Sequence, residues 1–364
     1  MNYKDELKKI YDTESSIYSD NILNKEIILY GAGSLGHMAL EIFKKTDTRP
    51  KYFVDKNIRG KVNNLDIKYI DEITKSDKTN TLFLICISTL PYNTIFNFLK
   101  EQGIINIMHV YTYIYIKFPE LLGNGWFHYN LTRTDTINIE KVCELLSHDE
   151  LSIAHYLQFL WWKLRGVEKI YDAYPVLSGK KYFYSPCLPI LNDDETLLDC
   201  GCHFGQAIDS FIAVTKNKFE RIYAIEPDIK NLEICKEKYS DKRIIYYNIA
   251  ISDFNGEFCF ISDMGYASKL NKKGNTKIKV KTIDALNLNP TILKLHIEGE
   301  ELNALNGASE TISKYHPILM VLADHNIDGL YKIPFFMYHH SYKIYFNLHD
   351  YCGNSAVFYG INNA

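Results

Sequence analysis

The stretch TILKLHIEGEE, Thr291 to Glu301, sets Lys294, His296 and Glu298 at every second position of an otherwise apolar run. Side chains alternate across a strand, so a strand over 291–298 sends all three to one face. There the ammonium can orient a carboxylate or touch a substrate, the imidazole can take a proton near neutrality, and the carboxylate can balance charge. Two further imidazoles stand at the ends of apolar runs: PILMVLADHN delivers Asp324, His325 and Asn326, and YKIYFNLHDY delivers His349 and Asp350. If these runs are strands of one doubly wound sheet, their carboxyl ends share a rim. His296, His325 and His349, with Glu298 or Asp324, then form a candidate ligand set for a divalent metal ion, which would lower the pKa of a bound hydroxyl. The alternative is that His325 and His349 only hydrogen-bond loops or a bound molecule.

Such groups need strands and glycine turns to position them, and the chain carries two units of that kind. KEIILYGAGSLGHMALEIFKK reads as strand, glycine turn and helix, followed by a strand ending at Asp55. ETLLDCGCHFGQAIDSFIAV repeats the layout, followed by a strand ending at Glu226. The interval from first glycine to acid is 24 positions in one (31 to 55) and 25 in the other (201 to 226). Both predict the opening of a doubly wound α/β fold, whose ligands sit at the carboxyl ends of the strands.

In the second unit Gly201 and Gly205 allow the backbone to approach a ligand, and Glu226 is placed to accept hydrogen bonds from two ribose hydroxyls. Asn248 and Ser252, in YYNIAISDFNGEF, are positioned to meet a purine edge. Together these features point to an adenosine-containing cofactor. In the first unit GAGSLG, with Gly31, Gly33, Gly36 and the later Asp55, satisfies the dinucleotide fingerprint in its proper context. The unit is short for a complete dinucleotide fold and no hydride-transfer residues follow. Three readings stay open for it: binding a nucleotide or the nucleotide part of a substrate, a purely structural domain, and NAD chemistry.

The 364 residues suffice for two domains, and we expect a Rossmann-like unit over 1–115, a partly helical connector over 116–190 and a second unit over 191–364. SHDELSIAHYLQFLWWKLRG predicts a helix over about 148–165 capped by Ser147, with Trp161 and Trp162 as packing residues and the connector as a candidate homodimer contact. A net charge of -3 gives no reason to expect nucleic acid or an anionic membrane as partner. No apolar run approaches the ~20 residues of a membrane helix. The eight cysteines show no CxxC spacing, which suits reduced thiols in a cytoplasmic protein.

The ordered segments LLDCGCHFGQ, YAIEPD, NIAISDFNGE, KTIDAL, LKLHIEGEELNALNGA and YKIPFF resemble the FkbM-type methyltransferases over about 180–364. The resemblance implies a methyltransferase fold that uses S-adenosylmethionine to methylate an oxygen, often on a sugar. The implied acceptor is a carbohydrate, such as a nucleotide-activated sugar of surface-polysaccharide biosynthesis. By motif position Asp199, Gly201, Cys202, His203 and Gly205 line the methionine end, Glu226 holds the ribose, and Asn248 with Ala250 lies near the adenine. Tyr182 or Tyr184 is implied to cover the cofactor. His203 stands where a small polar residue is usual. The family's Asp-Val/Ile-Glu-Gly is here His296-Ile297-Glu298-Gly299, which makes His296 the leading base or metal ligand. Two other classes remain: an NAD-dependent oxidoreductase working through the N-terminal turn, and a non-catalytic nucleotide-sugar-binding protein.

Overall fold

The structure is a computed structural model; it describes residues 2–14, 20–121, 126–179, 181–261, 269–270, 274 and 276–362. Two sheets dominate. The first contains β1 (Ile27–Tyr30), β2 (Phe53–Val54), β3 (Gly60–Val62), β4 (Leu65–Lys68), β5 (Leu82–Ile85) and β6 (Asn106–His109), in the order β3-β4-β2-β1-β5-β6. All its pairings are parallel except β3 with β4. Its central strands IILY and LFLI are buried along their whole length, as expected where helices cover both faces of a parallel sheet.

The second large sheet contains β7 (Thr196–Cys200), β8 (Arg221–Ile225), β9 (Ile244–Tyr247), β14 (Ile292–Leu295), β15 (Ile318–Leu322), β16 (Tyr342–Leu348) and β17 (Ala356–Asn362). Its order is β16-β17-β15-β14-β7-β8-β9, parallel but for the antiparallel β17 inserted between β15 and β16. Strand order reverses at β7 and β14, which directly pair, so their carboxyl ends form the crevice where a doubly wound sheet binds ligands. Between β9 and β14 a four-stranded sheet, β10 (Ala250–Ile251), β11 (Gly256–Ile261), β12 (Lys269–Leu270) and β13 (Thr276–Lys281), forms an excursion on that side. Sequence periodicity identified neither this excursion nor β17.

The helix expected near 148–165 spans Glu150–Arg165, and its cap is Asp149, whose carboxylate accepts from the Ser152 N–H, rather than Ser147. It is buried almost throughout, so it forms core between the two sheets and offers no dimer surface. Trp161 packs in the core of the second sheet and Trp162 in that of the first. The first helix, Tyr3–Asp12, packs on this long helix: Glu6 accepts from the Trp161 indole at 3.0 Å, and Ile10 O accepts from Arg165 Nε at 2.6 Å. The loop after β5 also meets the second sheet, where the Tyr351 N–H donates to Ser88 O at 2.7 Å.

Candidate active site

A cleft opens at the carboxyl ends of β7, β8 and β14, with Gly201, Glu226, Ala250, Phe260, Lys294 and His296 among its lining residues. Gly201 adopts φ +80°, and a Cβ there would lie 1.8 Å from His296 O. Only glycine lets the β7 turn pass this close to the end of β14. Gly205, at φ +83°, is covered by the Tyr239 ring, which a Cβ would strike.

Lys294 Nζ lies 2.6 Å from Asp199 Oδ1 and donates to Gly201 O at 2.7 Å. Both side chains are buried, so this pair clamps the end of β7 to β14. Lys294 thus positions the glycine turn from the cleft floor. Asp199 Oδ2 is buried with no hydrogen-bond partner.

One strand away, Glu226 accepts from the His203 N–H at 2.9 Å and the Asp228 N–H at 3.0 Å. Burial nevertheless pushes its carboxyl up to about 7. Cys202 and His203 line the cleft, and burial, with the Lys294 charge beside it, lowers His203 to about 4. Ile249, Ala250, Ile251 and Phe260 form an apolar wall. Asn248 does not join them: its amide donates to the backbone carbonyls of Glu226 and Pro227, pinning the acid's loop. Ser252 likewise donates to Glu300.

The strand expected over 291–298 ends at Leu295. His296 begins a turn, and Glu298 and Gly299 take positive φ, +55° and +107°. Strand alternation therefore does not align Lys294, His296 and Glu298. The left-handed turn instead folds the Glu298 carboxylate back, and its Oε1 lies 3.4 Å from Nε2 of His296 and 3.4 Å from Nε2 of His325. A non-glycine residue at positive φ is held by its surroundings. Here Glu301 holds it, accepting from the Ile297 N–H at 2.9 Å and the Gly299 N–H at 3.0 Å.

Glu301 also lies 2.6 Å from His325 Nδ1. Burial opposes charge on His325, but Glu298 and Glu301 overcome it and raise the imidazole to about 10. His296 moves the other way: burial and the neighbouring His325 and Lys294 charges hold it well below its ordinary value, so it is neutral. Its Nδ1 shares a 2.6 Å hydrogen bond with Tyr182 Oη. Burial keeps that phenol protonated by raising it well above its usual range.

His349 lies apart from this group, with Nε2 2.8 Å from Tyr359 Oη, and Tyr359 in turn donates to Tyr182 O. Asp324 is diverted too, accepting from the Ser355 N–H at 2.7 Å. Among the described residues the cluster suited to a metal ion is His296, Glu298 and His325, in place of a set containing His349. Of the two candidate covering tyrosines, Tyr182 is buried in the site and Tyr184 is exposed. Glu301 is a participant that the sequence reading did not single out; the signal it offered is the second of the two acids that follow IEG.

In the N-terminal unit Asp55 accepts from the Ala32 N–H at 2.8 Å and from the Asn57 and Ile58 N–H groups. Gly31 has φ +109°, and a Cβ on Gly36 would lie 2.2 Å from Gly31 O, so Gly36 permits the helix to close on the turn. A Cβ on Gly33 would meet open space.

The sheet order is that of a methyltransferase-like fold. Residues 199–344 match the family described as the methyltransferase FkbM domain. The chain therefore carries an FkbM methyltransferase domain and is an S-adenosylmethionine-dependent methyltransferase by class. A crystal structure of the methyltransferase FkbM from Methylobacillus flagellatus KT is similar over 99% of both chains, with a TM-score of 0.70 at 20% identity, a likeness of fold. More distant matches, each with a TM-score of 0.30 and 13% identity, are a precorrin-6y C5,15-methyltransferase from Geobacter metallireducens GS-15 and a fibrillarin/Nop5p complex. The first covers 48% of this chain and 82% of its own, the second 47% and 74%. No curated protein sequence matches the chain.

The cleft suits the donor that the family match implies: Glu226 would accept from ribose hydroxyls, and the apolar wall would offer a surface for the adenine. Bound there, the donor supplies an electrophilic sulfonium methyl.

Proposed function

We propose that this protein methylates a hydroxyl oxygen of a carbohydrate, with a nucleotide-activated sugar as the acceptor class. One observation carries the reading: Glu226 lines the same cleft as His296 and Glu298, and His325 stands beside those two in one cluster. Transfer forms an O–CH3 bond as the S–CH3 bond breaks, its electron pair stays on sulfur, and the hydroxyl proton must leave. A sugar hydroxyl is a poor nucleophile until that proton is accepted. Neutral His296 is the proton acceptor, oriented through Nδ1 by Tyr182. Glu298 and Glu300 supply further acceptors for a polyol on that side.

The nucleotide portion of the acceptor is assigned to the N-terminal glycine turn. Support comes from a shared device: Asp55 accepts from the Ala32 N–H as Glu226 accepts from the His203 N–H. The loop that follows β5 at the same sheet edge also reaches Tyr351, near the end of β16. Incubating the protein with labelled S-adenosylmethionine and a panel of nucleotide sugars, followed by mass spectrometry, tests the assignment. A sugar product heavier by one labelled methyl in exchange for one hydrogen is expected. Label appearing on nitrogen or carbon acceptors alone would refute it.

A further inference from the structure

The rim trio sets one carboxylate oxygen within ion-pair reach of two imidazoles at once. Glu298 Oε1 stands 3.4 Å from each histidine Nε2. That exceeds the usual ~2.7–3.2 Å of a good hydrogen bond. It is close to the roughly 3.4 Å edge of a tetrahedron with bonds of about 2.1 Å, the values of nitrogen and carboxylate ligands on zinc. The ligand atoms come from two separate strand ends and lie within 4.8 Å of one another.

The outer nitrogens are also engaged. His296 Nδ1 meets Tyr182 Oη, and His325 Nδ1 meets Glu301, both at 2.6 Å. Metal-ligating histidines are fixed in this way, their second nitrogen held by a carboxylate or another oxygen so that the first faces the ion. The carboxylate member is presented from a left-handed turn that Glu301 clamps through two backbone amides. Glu301 therefore sets the orientation of two members of the trio together.

We propose that His296 Nε2, Glu298 and His325 Nε2 bind one divalent transition-metal ion, the His325 Nε2 proton leaving to solvent as the ion binds, with Tyr182 and Glu301 as the groups that orient the imidazoles. Two imidazoles and one carboxylate suit zinc, iron or cobalt, whereas magnesium and calcium favour oxygen. His296 and Glu298 line the cleft, so an ion held by them would be reached from it. Resting on the hydroxyl-methylation reading, such an ion would acidify a bound acceptor hydroxyl in place of proton transfer to His296, the proton leaving to solvent and the imidazole staying a ligand.

The test is titration of chelator-stripped, full-length protein with Co2+, read by visible absorption and by calorimetry. One ion per chain is expected, with visible ligand-field bands and no near-ultraviolet thiolate charge-transfer, because no cysteine belongs to the set. Glu298→Gln should weaken binding at least tenfold. Tyr182→Phe should weaken it by about tenfold, the scale on which outer partners act. Circular dichroism on each variant separates lost binding from lost folding. Absence of stoichiometric binding, or binding that Glu298→Gln leaves unchanged, overturns the site. Metal-free protein that methylates hydroxyls at full rate overturns the ion's role and leaves the methylation reading intact. Stoichiometric binding without hydroxyl methylation on the panel keeps the site and removes that reading.

Discussion

Lys294 Nζ and Asp199 Oδ1 meet at 2.6 Å, with both side chains buried between β7 and β14. The lysine on the strand that leads into His296 and Glu298 thus holds the glycine turn at the end of β7. Removing one member of a buried pair leaves an uncompensated charge, at a cost of about 3–5 kcal/mol. Lys294→Met should lose stability on that scale in urea unfolding. A loss below about 1 kcal/mol would show that the pair does not hold the strands.

Glu226 predicts a pH dependence. Its carboxyl is raised by burial to about 7, above the ordinary 4.5, so the folded protein keeps a proton that the unfolded chain has released. The stability this contributes is present below the ordinary value and is lost as pH rises through about 7. Donor binding follows the opposite sign, since ribose hydroxyls donate to the carboxylate. Affinity for S-adenosylhomocysteine should increase by up to about tenfold between pH 6 and pH 8, in step with a one-unit range on either side of the titration. Glu226→Gln should bind more weakly and without that slope. A slope retained in the variant would assign it to another group.

Gly201→Ala should abolish donor binding. The new Cβ would stand 1.8 Å from His296 O on a backbone at φ +80°. Relieving that clash means separating β7 from β14 at their carboxyl ends. Equilibrium dialysis with labelled donor would show it, and near-wild-type binding would contradict the close approach.

Glu301→Gln removes the charge beside His325 and weakens the clamp on the Ile297–Gly299 turn. Turnover should fall by about 10²-fold or more, the range of a displaced proton-transfer group, with donor affinity kept within about threefold. Equal losses in both would place Glu301 in general folding.

Much of the donor side was legible in sequence, because glycine turns and the acid one strand later are local signals. Gly201, Cys202, His203, Glu226 and Ala250 all line the cleft. Asn248 is not among the residues that line the cleft, and its amide donates to the backbone carbonyls of Glu226 and Pro227. The acceptor side was legible only in part. His296, Glu298 and His325 do converge, but through a left-handed turn that a period-2 reading cannot represent. His349 ends its strand as expected, yet β17 intervenes between β15 and β16 and supplies Tyr359 to engage it. That insertion is antiparallel and comes last in the chain, so order along the sequence misstates order across the sheet.

The proposed chemistry requires a sulfonium donor between Glu226 and the His296 rim. Calorimetric titration of S-adenosylhomocysteine into the wild type, Glu226→Gln and His296→Ala tests this most directly when paired with turnover. One site per chain is predicted, weakened at least tenfold in Glu226→Gln and little changed in His296→Ala, with His296→Ala losing about 10²–10⁴-fold in turnover. No binding to the wild type, or full turnover by His296→Ala, would contradict it.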